Sequence, residues 1–330
     1  MAETKLIVKS KQSEQHLYAP GHSGCPGCGP SNALIQVCDT LGKDIIVVNA
    51  TGCMEITSSQ YPQTAWRVPY IHSLFENAPA VASGVARALR AQGNDHTKVV
   101  VIGGDGSTYD IGFGALSGML EREENVLYVC YDNQLYANTG VQKSGATPYG
   151  AATTTTSVGS VHKGKETERK PIAEIVAAHG VKYVASASIA YYADLQMKLK
   201  KAKAVKGPSF VLIDAPCCLG AGFDGGITYK VAKLNVGTRL WFLYEIENGK
   251  YKLNFNPANP KPVKEYLELQ KRFKHLDAAQ LDHIQKWADK EYEEMLVKAG
   301  MPPSKPVAPA IAPSAGAPII PAAPAAPAAK

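Results

Sequence analysis

A turn with the sequence GGDGS, at residues 103–107, follows an apolar run at residues 98–102 that predicts a buried strand. Its glycines allow a ligand to come close to the backbone, and the helix predicted after it directs its N-terminus at an anion. Asp105 would repel a bare phosphate, but a carboxylate can hold Mg²⁺, which in turn binds diphosphate oxygens. We therefore predict a magnesium–diphosphate site at this turn.

Two common phosphate-binding motifs are excluded here. The dinucleotide fingerprint G-x-G-x-x-G would need glycine at position 109, which is Tyr109, and no Gly-Lys-Ser/Thr of a P-loop follows the turn. A second oxygen ligand is available in Asn133, which lies 28 residues after Asp105 and follows the strand predicted at residues 126–130. Because ligands of parallel sheets bind at the carboxyl ends of the strands, these two side chains can share one Mg²⁺. A Gly-Asp-Gly turn followed by such an asparagine resembles the signature of thiamine-diphosphate enzymes.

A second group of reactive side chains consists of cysteines in loops. Cys25 and Cys28 form a Cys-x-x-Cys in a loop rich in Gly and Pro, Cys53 follows a predicted strand, and the pair Cys217-Cys218 follows another. A redox Cys-x-x-Cys usually opens a helix directly after a strand, and no strand is predicted before this one. Four thiolates from separated loops suit either zinc or a four-iron cluster, and their spacing does not distinguish these two.

The predicted cofactor favours one of the two metal interpretations. Thiamine diphosphate forms a carbanion, whose oxidation needs an electron acceptor, and zinc has no redox function. We therefore favour an iron–sulfur cluster over zinc. Cys38 and Cys130 lie within apolar helix and strand patterns, which predict buried core thiols instead.

Short apolar strands alternate with helical patterns along the chain, which predicts an α/β fold with a parallel sheet flanked by helices. We predict strands at residues 44–49, 98–102, 126–130 and 209–213, helices at 31–42, 74–90 and 110–123, mixed edge structure at 223–257 and two amphipathic helices within 262–298. We divide the chain into an N-terminal arm (1–20), a cofactor- and cluster-binding domain (21–226), a C-terminal extension (227–300) and a Pro/Ala-rich tail (301–330) expected to be disordered.

The composition is that of an ordinary globular protein, with 45% hydrophobic and 19% charged residues and a net charge of +6. The basic residues are scattered among acidic ones, so nucleic acid is not an expected partner. The densest basic run, residues 198–206, predicts a solvated helix face or, alternatively, a docking patch for an acidic partner. No secretory signal and no membrane-length apolar run is visible, which favours a cytoplasmic protein.

These features together resemble the β subunits of the 2-oxoacid:ferredoxin oxidoreductases, above all those that act on pyruvate. The resemblance covers residues 21–298. It is carried by the stretches GHSGCPGCGPSNAL, VVNATGCMEI, WRVPYIHSLFENAPAVASG, VIGGDGSTYDIGFGALSGMLEREENVLYVCYDN, YANTGVQKSGATPYGA and LYEIENGK.

The resemblance implies a 4Fe-4S cluster held by Cys25, Cys28, Cys53 and Cys217. Cys217 is preferred to Cys218 because a proline precedes it, as in the family. The Cys-Leu-Gly-Ala that follows departs from the Pro-Thr-Gly-Trp of the family, so Cys218 stays open as the alternative ligand.

The resemblance also implies roles around the cofactor. Leu135 would add its carbonyl to the Mg²⁺ ligands, and Asn138 would donate a hydrogen bond to the substrate carbonyl as the catalytic amide. Phe75 is expected to pack on the cofactor ring, with ordinary core packing as the alternative. The remaining cofactor-binding residues are expected to be Gly52, Cys53, Gly104, Gly106, Ser107 and Thr139.

The implied activity is the oxidative decarboxylation of a 2-oxoacid to acyl-coenzyme A and CO₂, with electrons leaving through the cluster to ferredoxin or another low-potential acceptor. In the family, the glutamate that activates the cofactor lies on another subunit, so the chain is expected to act only with α, γ and δ-type partners. Pyruvate is the leading substrate, with phenylglyoxylate or oxalate as alternatives. A non-oxidative thiamine enzyme with a zinc site, and a cluster- or zinc-carrying binding module without activity, are the competing hypotheses.

Overall fold

The computed structural model describes residues 16–303, and an eight-stranded sheet forms its centre. The strands are β1 Ile45–Ala50, β2 Tyr70–Ser73, β3 Lys98–Gly104, β4 Val126–Asp132, β5 Tyr183–Ser188, β6 Ser209–Asp214, β7 Tyr244–Glu247 and β8 Lys250–Leu253. Their order is β2-β1-β3-β4-β6-β5-β7-β8. The pairings from β2 to β5 are parallel, and β7 and β8 add an antiparallel edge. The predicted α/β class with a parallel sheet is confirmed.

Helices cover both faces of this sheet, because alternate strand residues point to opposite sides and each side is apolar. Helices α1 and α6 close one face, and α3, α4 and α5 close the other. The helices are α1 Gly29–Leu41, α2 Cys53–Ile56, α3 Ala78–Ala91, α4 Phe113–Glu121, α5 Ile172–Ala177, α6 Tyr192–Ala204, α7 Cys218–Ala221, α8 Thr228–Gly237, α9 Val263–Leu267 and α10 Ala278–Lys298. Within residues 16–303, none of them is long and apolar enough to cross a membrane.

The four predicted strands are present as β1, β3, β4 and β6, and the mixed segment supplies the edge strands β7 and β8. The sequence reading missed β2 and β5. Most of β5 is Ala and Ser, and β2 is a four-residue edge strand, so neither carries the run of large apolar residues that marked the others. Because β2 occupies residues 70–73, the helix predicted from residue 74 begins only at Ala78, with Pro79 in its first turn.

Two predicted helix starts near the reactive loops are wrong. Cys28, not Ser31, caps α1, and its sulfur accepts the backbone N–H of Ser31. The helix predicted from residue 110 begins as a π-helical turn, Gly106–Ile111, directly after Asp105. Such π turns are rare and are often found at functional sites.

The region predicted as a loose arm, residues 1–20, is packed against the domain over its described part. Leu17 and Tyr18 are buried, and Tyr18 pairs with Trp66. Residues 1–15, and residues 304–330 of the predicted tail, lie outside the described part of the chain. The predicted C-terminal helices are present as α9 and α10, which pack with α8 in an apolar cluster of their own.

The basic run at residues 198–206 is not a uniformly solvated helix face. Lys198 is fully buried beneath α6, where its ammonium group donates to Asp194 and to the carbonyl of Ser186, each over 2.7 Å. A buried lysine needs such partners because an unpaired buried charge is strongly destabilising. Lys198 is therefore part of the buried core and is not available to an acidic partner.

Candidate active site

A cleft opens where β1, β3 and β4 end side by side. It lies at the carboxyl edge of the parallel strands, where such sheets bind ligands. Every residue predicted to bind the cofactor lines it: Gly52, Cys53, Phe75, Gly104, Asp105, Gly106, Ser107, Asn133, Leu135, Asn138 and Thr139. The structure therefore brings together side chains from four separate loops.

Asp105 lies at the bottom of this cleft and is 1% exposed. Its carboxylate accepts the backbone N–H of Asn133 over 3.3 Å and the hydroxyl of Ser144. Burial raises the pKa of Asp105 well above its usual range, and the neighbouring Asp132 raises it further. Among residues 16–303, no basic side chain forms an ion pair with Asp105, whereas Arg169 pairs with Asp132 at 3.5 Å. A buried carboxylate without a cationic partner is a suitable ligand for a bound cation.

The loop after β4 presents the other predicted magnesium ligands. Its backbone turns sharply at Gln134, which has a φ of 67° and donates its N–H to Asp132 over 2.9 Å. The side-chain oxygen of Asn133 accepts the backbone N–H of Leu135 over 3.3 Å, which holds the Asn133 side chain against the residues that follow the turn. Asn133 and Leu135 are both buried at the cleft wall. One carboxylate, one amide oxygen and one carbonyl are a suitable set for Mg²⁺, which prefers oxygen ligands.

Two stacked aromatic rings form a side wall of the cleft. Phe75 and Tyr136 lie 5.7 Å apart at an angle of 24°. The Tyr136 hydroxyl donates to the carbonyl of Gly106 over 3.0 Å, and the Ser107 hydroxyl donates to the carbonyl of Phe75 over 2.6 Å. Phe75 is half-buried and borders the cleft, so it is available to a ligand ring rather than packed away in the core.

Gly106 is the point where this wall leaves no room for a side chain. A Cβ there would lie 2.4 Å from the Tyr136 ring. We expect Gly106→Ala to displace this ring and lower turnover of the assembled enzyme roughly a hundredfold, as expected when site groups move by about 1 Å. The control is Gly84→Ala in α3, where a Cβ meets nothing within 4 Å and helix propensity favours alanine by about 1 kcal/mol. Steady-state kinetics and thermal unfolding of both variants test this, and equal behaviour of the two would contradict it.

Of the predicted cluster cysteines, Cys53 lies in the wall of the cleft. Burial is the main reason that the pKa of Cys53 is raised to about 12 and that of Cys217 to about 11. The neighbouring cysteines also raise both pKa values. For Cys53 these neighbours are Cys217, Cys28 and Cys25, together with Asp105. These electrostatic contributions indicate that Cys25, Cys28 and Cys217 lie on the same side of the fold as Cys53.

Backbone donors support two of these sulfurs. Cys28 accepts the N–H of Ser31 at the start of α1, and Cys217 accepts the N–H of Gly220 at the start of α7. Hydrogen bonds to sulfur stabilise ligand thiolates in clusters. The thiol of Cys218 instead points at the carbonyl of Pro26, 3.6 Å away. Within residues 16–303, no group of three or more His, Cys, Asp or Glu side chains is arranged to hold a metal ion, so the cluster stays a prediction.

Sequence reasoning missed several residues of the cleft. Thr51, Ile56, Tyr131, Tyr136 and Ala137 border it, and each lies within three residues of one that was predicted. Their position next to those motifs was the available signal. Ser144, which binds Asp105, lies in a different loop and carried no signal of its own.

Comparisons with known proteins agree with this site. The family described as "Thiamine pyrophosphate enzyme, C-terminal TPP binding domain" matches residues 50–213. Pyruvate synthase subunit PorB of Methanothermobacter thermautotrophicus is 48% identical over 87% of this chain and all of its own length. Ketoisovalerate oxidoreductase subunit VorB of Pyrococcus furiosus is 43% identical over 86% of this chain and 93% of its own.

A solved structure is also similar. It is 2-oxoglutarate:ferredoxin oxidoreductase from Magnetococcus marinus with 2-oxoglutarate, coenzyme A and succinyl-CoA bound. The two share 25% identity with a TM-score of 0.52, over 63% of this chain and 70% of that one. Together these similarities show that the chain belongs to the β subunits of the 2-oxoacid:ferredoxin oxidoreductases, the family of pyruvate synthase subunit PorB.

Proposed function

We propose that this β subunit binds Mg²⁺–thiamine diphosphate and a 4Fe-4S cluster in an enzyme that converts pyruvate, coenzyme A and oxidised ferredoxin into acetyl-CoA, CO₂ and reduced ferredoxin. The observation that carries the proposal is the cleft, which gathers every predicted cofactor residue and has Cys53 in its wall. A single side chain, Cys53, thereby joins the diphosphate site to the group of cysteines.

The residues present fit the metal–diphosphate group. Asp105 offers a buried carboxylate that forms no ion pair among the described residues, Asn133 an amide oxygen and Leu135 a carbonyl, and all three line the cleft. Gly104, Gly106 and Ser107 would face the diphosphate at the end of β3. When bound, thiamine diphosphate supplies an electron sink for the bond broken on decarboxylation.

The cysteines fit a cluster better than an isolated reactive thiol. Burial raises the pKa values of Cys28, Cys53 and Cys217, so in the absence of iron these three thiols are protonated and unreactive at neutral pH. Bound iron would stabilise the thiolates, and the N–H groups of Ser31 and Gly220 would donate to them. We favour Cys217 as the fourth ligand because its sulfur accepts the N–H of Gly220, while the Cys218 thiol is directed to the carbonyl of Pro26.

The chain's own contribution to catalysis is orientation and hydrogen bonding. Asn138 is exposed at the mouth of the cleft, where its amide can donate to a substrate carbonyl on which charge develops. Asp105 is the only carboxylate among the residues that line the cleft. The carboxylate that must activate the cofactor is therefore expected from an α-type subunit, with γ and δ-type subunits passing electrons onward.

Substrate choice is the part of the proposal that needs a direct test. PorB and VorB relatives, named for pyruvate and ketoisovalerate, are similarly close to this chain. The decisive experiment is turnover of a panel of 2-oxoacids, including phenylglyoxylate and oxalate, by the assembled complex with and without coenzyme A. We expect pyruvate to give the highest kcat/KM, with acetyl-CoA as product and viologen dye as a substitute electron acceptor. A colourless complex that contains zinc and no acid-labile sulfide would favour the non-oxidative alternative.

A further inference from the structure

The C-terminal extension reaches the loop after β4 with one buried arginine. Arg272 lies between α9 and α10, in a single 3-10 turn at Lys271–Phe273. Its Nη2 donates a hydrogen bond to the side-chain oxygen of Gln134, which lies 138 residues earlier in the chain. Gln134 stands between Asn133 and Leu135, two of the predicted magnesium ligands. The extension therefore contacts this loop at the residue that joins the two ligands.

The backbone of Gln134 has a conformation that needs support from its surroundings. Its φ of 67° lies in the left-handed region, which is unfavourable for a residue that carries a Cβ. Two contacts from its own domain hold the main chain: the N–H of Gln134 donates to Asp132 over 2.9 Å, and its carbonyl accepts the Thr147 hydroxyl over 2.6 Å. The side chain is 4% exposed and is held by Arg272. A contact at this residue therefore bears on the direction of the chain between the two predicted ligands.

Arg272 is itself fixed in place by its neighbours. It is 6% exposed, and its Nε donates to the side-chain oxygen of Gln270 over 3.0 Å. Gln270 is fully buried and donates in turn to the carbonyl of Tyr266 over 3.1 Å. Because the guanidinium group is planar and rigid, a bond at Nε also fixes the direction in which Nη2 points.

The surroundings of Arg272 are not those that best stabilise a buried charge. The hydrogen-bond acceptors of its guanidinium, within residues 16–303, are the neutral amides of Gln134 and Gln270. Its third nitrogen, Nη1, is buried and has no hydrogen-bond partner in that part of the chain. A well-packed apolar side chain of similar volume usually costs less free energy at such a site than a buried cation. This cost favours a role for Arg272 beyond packing.

We infer that Arg272 is a positioning residue for the proposed magnesium site and acts through Gln134. By holding Gln134, it keeps Asn133 and Leu135 in the arrangement that receives the metal. The inference rests on the proposed function, which assigns these two residues to Mg²⁺. It gives the C-terminal extension a part in cofactor binding, although no residue of the extension lines the cleft.

The test measures cofactor affinity of the assembled complex after removal of its cofactor, by isothermal titration with thiamine diphosphate at a fixed Mg²⁺ concentration. Arg272→Met keeps an unbranched stem but removes the donors, and Gln134→Leu removes the acceptor. We expect each variant to raise the dissociation constant roughly ten- to a hundredfold, the usual effect of losing a group that orients a metal ligand. Gln134→Glu keeps an acceptor for the guanidinium and should bind within about threefold of the wild type.

Two further results separate positioning from a general structural role. The double variant should bind cofactor no more weakly than the weaker single variant, because both changes break the same contact. At saturating cofactor and Mg²⁺, kcat of the two single variants should return to within about threefold of the wild type, because the groups that contact the substrate are unchanged.

Tyr292→Phe is the matched control in the same extension. It removes the hydrogen bond from the Tyr292 hydroxyl to Asn256, 2.7 Å long, and leaves the loop after β4 unchanged. This variant should have a lower melting temperature and wild-type cofactor affinity. If it weakens cofactor binding as much as Arg272→Met does, the effect is general destabilisation and the positioning role is wrong.

The outcomes also distinguish this role from the proposed function. If the wild-type complex binds cofactor and Gln134→Leu binds it equally well, the positioning role is wrong and the proposed function stands. Gln134→Leu gives this answer even where Arg272→Met does not fold. Additive losses of affinity in the double variant overturn the role as well, because the two residues then act separately. If the wild-type complex binds no thiamine diphosphate with Mg²⁺, the proposed function fails, and the positioning role fails with it.

Discussion

Asp105→Asn is expected to abolish retention of Mg²⁺–thiamine diphosphate by the assembled enzyme, with at least about a hundredfold loss of affinity. Loss of a residue that only supports a metal ligand already lowers metal affinity roughly ten- to a hundredfold, and Asp105 is the only carboxylate among the described residues that line the cleft. Asparagine keeps the shape of the side chain and its contacts with Asn133 and Ser144, but it removes the charge that attracts the cation. Isothermal titration of the complex with cofactor in the presence of Mg²⁺ measures the effect.

The same substitution should not destabilise the cofactor-free protein. Asp105 is buried without a cationic partner in the described residues, so replacing it with a neutral amide removes an unfavourable buried carboxyl group. We expect an equal or higher melting temperature without cofactor, and loss of the rise that cofactor binding produces in the wild type. Asp282→Asn, at an exposed i,i+4 pair on α10, is the control and should retain that rise. A variant that still binds cofactor with wild-type affinity would remove Asp105 from the metal site.

Cys217→Ser is expected to remove the iron–sulfur cluster, whereas Cys218→Ser is expected to keep it. The two residues are adjacent, but their sulfurs have different surroundings. Cys217 accepts a backbone N–H at the start of α7 and neighbours Cys53, while the Cys218 thiol is directed to the Pro26 carbonyl. Iron and acid-labile sulfide content, with electron paramagnetic resonance of the reduced complex, measures the outcome.

The pair of variants is its own control, because each changes one sulfur to oxygen at neighbouring positions. Cys38→Ser tests the effect of losing a buried core thiol that has no role in the cluster. Loss of the cluster from Cys218→Ser, with retention in Cys217→Ser, would reverse the assignment. Retention in both would show that neither is an essential ligand.

Local patterns were sufficient for the part of the fold that carries the cofactor. The strand, glycine turn, helix and strand around Asp105 follow one another in the sequence, so the spacing to Asn133 already predicted that the two meet at one edge of the sheet. Strands β1, β3, β4 and β6 could also be predicted from local patterns, because a strand buried on both faces is apolar throughout. Strand β5 was not predicted because its mostly small side chains do not form a hydrophobic run, although tertiary packing buries all of them.

Capping and burial of single residues could not be predicted locally. Ser31 has the right side chain for a helix cap, but Cys28 takes that role because its loop is held against residues 215–216 and 225, leaving no space for a Cβ at Gly27 or Gly29. Lys198 belongs to a basic run in the sequence, yet its side chain points at the sheet. There its ammonium group donates hydrogen bonds to Asp194 and to the Ser186 carbonyl.

The sequence by itself determined the fold class and the family and predicted the magnesium–diphosphate turn, because these depend on residue types at short spacings along one βαβ unit. Only the tertiary structure decided which side chains meet across that unit. It placed Cys53 in the wall of the cleft and brought the Thr51 hydroxyl to His72 through the pairing of β1 with β2. The physical reason is that hydrogen bonds and charge interactions act over a few ångströms in space, whereas their partners here lie tens to nearly two hundred residues apart in the chain.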